Sequence, residues 1–153
     1  MKKTFLTILS TLLFTLCAFA DDKQDVLATF DKYVKDANSY SVNLPNYYTE
    51  NPKIIRTVNK KQGGKKSVVI PFDRYLKELK GNANLAKVTN YKNTYTDRKI
   101  EKIENDYKIS ANRFPRNDKI GLPAHFIFTK VGNVWKIKEE NITTNVQVFL
   151  TAK

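Results

Sequence analysis

Apolar residues recur at helical spacing near the start of the chain and at alternating positions through its second half. Val26, Leu27, Phe30, Tyr33, Val34 and Ala37 lie on one helical stripe, and Asp25 stands before them as a candidate N-cap. The pattern predicts a first helix from Asp25 to Asn38. In "LPNYYTENP", Pro45 suits the opening turn of a short second helix and Pro52 its end. "KIIRTV" then reads as a strand, "NKKQGGKK" as a hairpin turn with Gly63-Gly64 at its tip, and "SVVIP" as the returning strand. In "PFDRYLKELKGN", Phe72, Tyr75, Leu76 and Leu79 share a helical face, and Gly81 is placed to cap the end of that helix.

The remainder alternates with a period of two. "KVTNYKNTYTDRKIEKI" is rich in β-branched and aromatic residues, but its alternation slips between Ile100 and Ile103, where a bulge is expected. "DYKISANRF" places Tyr107, Ile109 and Ala111 on one face. "PAHFIFTKV" is apolar on both faces and should lie centrally. Gly132-Asn133 turns into the last strand, "VWKIKEENITTNVQVFL". If no bulge intervenes, Trp135, Ile137, Glu139, Asn141 and Thr143 share one face of it. Helices early and strands late predict an α+β domain: a curved antiparallel sheet covered by three helices from the N-terminal half, forming a cone. The inner end of such a cone can hold a small ligand.

Residues 1–20 fall outside that pattern. Lys2 and Lys3, an apolar run and Ala18-Phe19-Ala20 form a secretory signal with cleavage expected before Asp21. The apolar run is short for a membrane span of about 20 residues. Cys17 lies inside this signal, and Leu16 before it argues against a lipid-anchored cysteine. A single domain over residues 21–153 is expected. It would contain no cysteine, which excludes disulfides, zinc–thiolate sites and cysteine nucleophiles. An exported chain without disulfides points to a bacterial periplasm.

The resemblance to a known family rests on three pieces. They are "DVLATFDKYVKDAN" with the aromatic pair of "LPNYYTENPKIIRTV", "VVIPFDRYLKELKG", and "HFIFTKVGNVWKIKEENIT". In this order they resemble the nuclear transport factor 2-like superfamily, which includes ketosteroid isomerase and scytalone dehydratase, from about Val26 to Val146. The resemblance implies a cone with an internal cavity and a tryptophan packed between sheet and helices. It also implies that Asn141 falls where catalytic or ligand-binding relatives often place a histidine, which weakens an enzymatic reading.

Candidate chemistry is sparse. His125 is the only histidine, and Glu139 across the last turn is the acid best placed to orient it as a general base. Asp31, Asp36, Asp73, Asp97 and Asp106 are further carboxylates, none in an apolar setting that would raise its pKa. No phosphate loop, metal-ligand spacing or cofactor pattern is present, so no cofactor is expected. The whole chain carries 27 Lys plus Arg against 15 Asp plus Glu, a net charge of +12. Lys2 and Lys3 would leave with the signal. The excess concentrates in Lys53, Arg56, Lys60, Lys61, Lys65 and Lys66, with no acid among them. Lys60, Lys61, Lys65 and Lys66 crowd the hairpin tip and suit an anionic ligand or protein partner. A membrane surface and a second copy of the chain are also open as partners, whereas export disfavours nucleic acid. Tyr47, Tyr48, Tyr91 and Tyr95 are candidates to line the mouth of a cone or a protein interface, with Asn141 as a candidate binding residue. Three function classes follow: a non-enzymatic binding or accessory protein, which the missing dyad favours; a small lyase or isomerase; and an inhibitor or immunity protein of an envelope enzyme.

Overall fold

The computed structural model describes residues 22–116 and 118–151. The signal expected over residues 1–20, with Cys17, lies outside them. The first helix, α1, covers residues 22–38. It is followed by a 3-10 turn (Leu44–Tyr47), β1 (Tyr48–Asn59), β2 (Lys65–Ile70), α2 (Phe72–Val88), β3 (Asn93–Ile103), β4 (Asp106–Pro115), β5 (Leu122–Val131), β6 (Val134–Thr144) and a closing 3-10 turn (Gln147–Leu150). The strands form one six-stranded sheet in the order β2-β1-β6-β5-β4-β3.

The sheet is mixed rather than wholly antiparallel, because β1 runs parallel to β6 while every other pair is antiparallel. Residue pattern specifies which positions face inward but not which neighbour a strand selects. Among the described residues the helices number two, not three. Pro45 opens only a single 3-10 turn, and the chain is already extended at Tyr48. Pro52 sits inside β1, in the stretch between Tyr48 and Lys53 where pairing with β6 shifts register, so its missing N–H breaks no ladder there.

Three boundaries also moved. Asp25 lies within α1 and its carbonyl accepts a hydrogen bond from Thr29. Gly81 lies inside α2, which continues through Ala83, Leu85 and Ala86, good helix formers that offset a glycine cost of about 1 kcal/mol. The irregularity in β3 falls between Thr96 and Lys99 instead of between Ile100 and Ile103. Asp97 takes a positive φ of 51° there, which aspartate tolerates, and its carboxylate accepts hydrogen bonds from Asn112 and Thr96.

The core lies between the helices and one sheet face. Val26, Phe30 and Tyr33 of α1 and Tyr75 of α2 meet Ile54, Ile109, Phe126, Phe128 and Ile137. Trp135 is 5% exposed and packs edge-on against Tyr107. The end of α1 is pinned to β3 by a reciprocal pair: Asn38 Nδ2 donates to the Asn93 carbonyl, and the Asn93 amide donates to Asn38 Oδ1. At the other edge Gly63 and Gly64, both at positive φ, turn β1 into β2.

Candidate functional site

One feature of β6 decides what faces the core. Ile127 pairs with Glu139 while Phe128 pairs with Ile137, so Lys138 is an extra residue and the alternation slips by one. Beyond this bulge Glu140, Ile142 and Thr144 share the inner face with Trp135 and Ile137, while Glu139 and Asn141 turn outward. The shared face expected for Trp135, Glu139, Asn141 and Thr143 is corrected accordingly.

Glu140 is fully buried at the floor of a cavity of about 520 Å³. Its Oε2 accepts hydrogen bonds from the Tyr33 hydroxyl at 3.0 Å and the Tyr48 hydroxyl at 2.5 Å. With both those protons committed, the contact of 3.1 Å between the Tyr48 and Tyr75 hydroxyls must use the proton of Tyr75. Glu140 Oε1 lies 2.8 Å from Arg56 Nη2, close enough for an ion pair but off-angle for a hydrogen bond. Arg56 also donates to the Ile55 carbonyl and stacks over the Tyr75 ring at 5.3 Å.

The electrostatics follow from that packing. Burial, then the Glu140 charge, pushes the Tyr33 and Tyr48 phenols well above their ordinary value, and pushes Tyr75 up to about 12. Tyr95 is raised by the same two causes. Burial alone would lower the Arg56 guanidinium, but Glu140 and the tyrosines outweigh it and hold it above its ordinary value. All these phenols stay protonated near neutral pH.

A second buried cation lines the cavity. Arg113 of β4 is 7% exposed. Its Nη1 donates to Asn93 Oδ1 at 2.7 Å and approaches the Tyr91 hydroxyl at 3.5 Å, and its Nη2 donates to the Thr143 carbonyl at 3.2 Å. Its Nε has no acceptor, and no acid lies within ion-pair distance among the described residues. Leu76, Leu79, Ala83 and Ala86 of α2 supply an apolar wall.

The other candidates lie elsewhere. His125 is on the outer face of the sheet, with Nδ1 3.1 Å from Ser110 Oγ. Burial and Lys108 lower its pKa from the ordinary value. Asn141 pairs with it across the ladder and accepts a hydrogen bond from Thr57, whose hydroxyl also meets Ser67. Glu139 reaches Lys53 at 3.7 Å. Tyr91 and Tyr95 line the cavity, whereas Tyr47 and Tyr48 do not. Tyr47 bonds Asp36, and burial with that carboxylate pushes its phenol up to about 12. Lys60, Lys61, Lys65 and Lys66 are all exposed, without an ion pair among the described residues, while Arg56 of the same basic run is buried against Glu140. Among the described residues no cluster of histidine, cysteine or acids could hold a metal, and no helix is long and apolar enough to cross a membrane.

Two helices on the inner face of a curved six-stranded sheet, closing over a cavity, match solved structures over most of the chain. A protein from Novosphingobium aromaticivorans, described as NTF2-like with a cystatin-like fold, aligns with a TM-score of 0.66 at 8% identity, covering 86% of each chain. The chain has the nuclear transport factor 2-like fold. An NTF2-like protein of unknown function from Shewanella oneidensis aligns with a TM-score of 0.60 at 13% identity, over 80% of this chain and 99% of its own. A scytalone dehydratase-like protein from Novosphingobium aromaticivorans reaches 0.58 at 11% identity, over 80% and 83%. Identities this low carry the NTF2-like fold alone. No protein-family model matches the chain, and no curated protein matches it.

Signals for the inner cluster were present in the sequence. Glu139 and Glu140 are adjacent on a strand, so one of them must face inward in any register. Arg56 shares parity with Ile54 and Val58, and Arg113 with Ile109 and Ala111, which places both arginines on apolar faces.

Proposed function

We propose that the chain is an exported, non-enzymatic binding protein that holds a small molecule in its cone cavity and meets an anionic partner through the β1–β2 hairpin. One observation supports the first part above all others: the acid at the cavity floor is already committed. Glu140 is held by two tyrosine hydroxyls and faces Arg56, and the chain's only histidine sits on the opposite face of the sheet. General acid–base catalysis needs a group with reach and with a proton or lone pair to exchange. The buried phenols keep their protons near neutral pH, and those of Tyr33, Tyr48 and Tyr75 are used within the protein. Native mass spectrometry of the protein purified from its own cell envelope tests this. It should carry one small molecule, lost when Ala83→Trp fills the cavity. A chain that carries none, and whose melting temperature no small molecule raises, would remove the binding reading.

Export rests on the Lys2-Lys3 start, the apolar run and Ala18-Phe19-Ala20. Intact mass of the envelope protein should begin at Asp21; a lipid on Cys17 would contradict it. The anionic partner rests on Lys60, Lys61, Lys65 and Lys66. Exposed charges act over about 8 Å at physiological salt, so capture by anionic vesicles should be salt-sensitive. Reversing the four lysines to glutamate should abolish it and leave the fold within about 0.5 kcal/mol. Equal capture of both forms at low salt would remove the hairpin from this reading.

A lyase or isomerase is the second reading. Glu140 Oε1 favours it, being buried at the cavity floor with no well-angled hydrogen bond.

A further inference from the structure

We propose that the cavity's ligand is an amphiphilic monocarboxylate whose head group is held by Arg113; this deepens, and rests on, the binding reading above. The inner face carries three buried charges, Arg56, Arg113 and Glu140. Arg56 and Glu140 neutralise one another at 2.8 Å. Arg113 has only neutral partners, the Asn93 side chain, the Tyr91 hydroxyl and the Thr143 carbonyl. A charge taken out of water is costly unless it is paired. The buried part of the cavity therefore holds one uncompensated positive charge, which a single negative charge would complete; Lys80 and Arg116, which also line the cavity, are exposed to solvent.

The geometry of the arginine narrows the head group. A guanidinium presents five N–H donors in a planar fork that suits a carboxylate. The neutral partners leave Nε and one Nη2 proton without acceptors. The guanidinium is also held in place, because Asn93, which receives Nη1, is itself tied to the end of α1 by Asn38. Tyr95 adds a cavity-lining hydroxyl that forms no hydrogen bond within the described protein.

The walls define the rest of the ligand. Leu76, Leu79, Ala83 and Ala86, with Ala37 and Ile142, offer apolar surface, and the further charged lining residues, Glu78, Lys80 and Arg116, are not buried. Toward solvent the same cavity is bordered by Val42, 91% exposed, Leu85, 63% exposed, and Val146, 49% exposed. Exposed apolar residues grouped at one opening suit a ligand with an apolar tail. A volume of about 520 Å³ falls inside the range of roughly 300–1,000 Å³ of small-molecule sites.

Calorimetric titration of the wild-type chain with decanoate, decanol and decyltrimethylammonium, each below its micelle threshold, tests the head group. Decanoate should bind at least about tenfold more tightly than the alcohol, the difference a charge-assisted hydrogen bond makes, and the cation should not compete. Arg113→Gln keeps an amide for the Asn93 and Thr143 contacts but removes the charge, and it should bring decanoate and decanol to equal affinity. Ala83→Trp should weaken both. Because the wild-type comparison needs no variant, a poorly folded Arg113→Gln would not rescue a failed result. Equal wild-type affinity for decanoate and decanol overturns the carboxylate assignment while leaving the cavity a binding site. Absence of binding by all three overturns the amphiphile assignment, and the mass-spectrometric result then decides the binding reading separately.

Discussion

The two faces of the sheet are built from the same strands and hold polar groups by opposite means. On the inner face Arg56, Glu140, Tyr33, Tyr48 and Tyr75 are closed into one buried cluster under the helices. On the outer face Ser67, Thr57 and Asn141 form a run of neutral hydrogen bonds, with His125 and Ser110 beside it, all within reach of water. Loss of a partner inside leaves a charge with no solvent to turn to; loss of a partner outside is made good by water. A polar group's importance to this fold is therefore set by its face, and its face on β6 is set by the bulge at Lys138.

The largest expected effect is on the inner face. Arg56→Met leaves Glu140 buried without its counter-charge and should cost about 3–5 kcal/mol in chemical denaturation. Adding Glu140→Leu should recover much of that loss, since an apolar pair of similar volume needs no counter-charge. A single variant as stable as wild type would mean that water reaches Glu140, and the contrast between faces would fail.

Next in size is the tyrosine cluster under alkali. Tyr33, Tyr48 and Tyr75 have folded-state values above the ordinary 10.0. Below pH 10 they are protonated in both folded and unfolded chains. Above it the unfolded chain releases protons first, so stability should fall as pH rises from there. Their tyrosinate absorbance should appear together with unfolding. Tyr75→Phe should cost about 1 kcal/mol at neutral pH and make the alkaline decline shallower. Ionisation of these phenols in a chain still folded by circular dichroism would contradict the closed cluster.

Outer-face changes should be smaller. Thr57→Val breaks two half-exposed hydrogen bonds, and a loss near 0.5–1.5 kcal/mol is expected from thermal melts. His125 should give the smallest effect. Its folded-state value is depressed below 6.5, so the unfolded chain binds more protons in that window and stability should decline as pH falls below 6.5. His125→Gln should flatten that slope slightly. An outer-face variant that matched Arg56→Met in cost would erase the distinction.

The legible parts of the fold were those carried by periodicity. The stripe of Val26, Phe30 and Tyr33, the alternation of Tyr107, Ile109 and Ala111, and the Gly63-Gly64 turn each follow from local spacing. Direction of pairing between β1 and β6 does not, because it is decided by long-range packing after the crossover through α2. Glu139 and Glu140 illustrate the limit at the site. That one of them faces inward is readable from adjacency alone, but the choice between them depends on Lys138, an exposed residue with no sequence mark of its bulge. Pro52 and Gly81 misled for a related reason. Each signals a boundary locally, and each is tolerated here, Pro52 in a stretch of shifted pairing and Gly81 in a helix continued by Ala83, Leu85 and Ala86.

The central claim is that the inner cluster holds the fold while the cavity beside it binds without reaction. The most direct measurement incubates the molecule that accompanies the purified protein with excess wild-type chain and, separately, with Glu140→Gln, and compares its mass and nuclear magnetic resonance spectrum before and after. The account predicts that both proteins bind it and that both return it unaltered. Conversion by the wild type that disappears in Glu140→Gln, with binding retained, would make Glu140 a catalytic base and contradict the account.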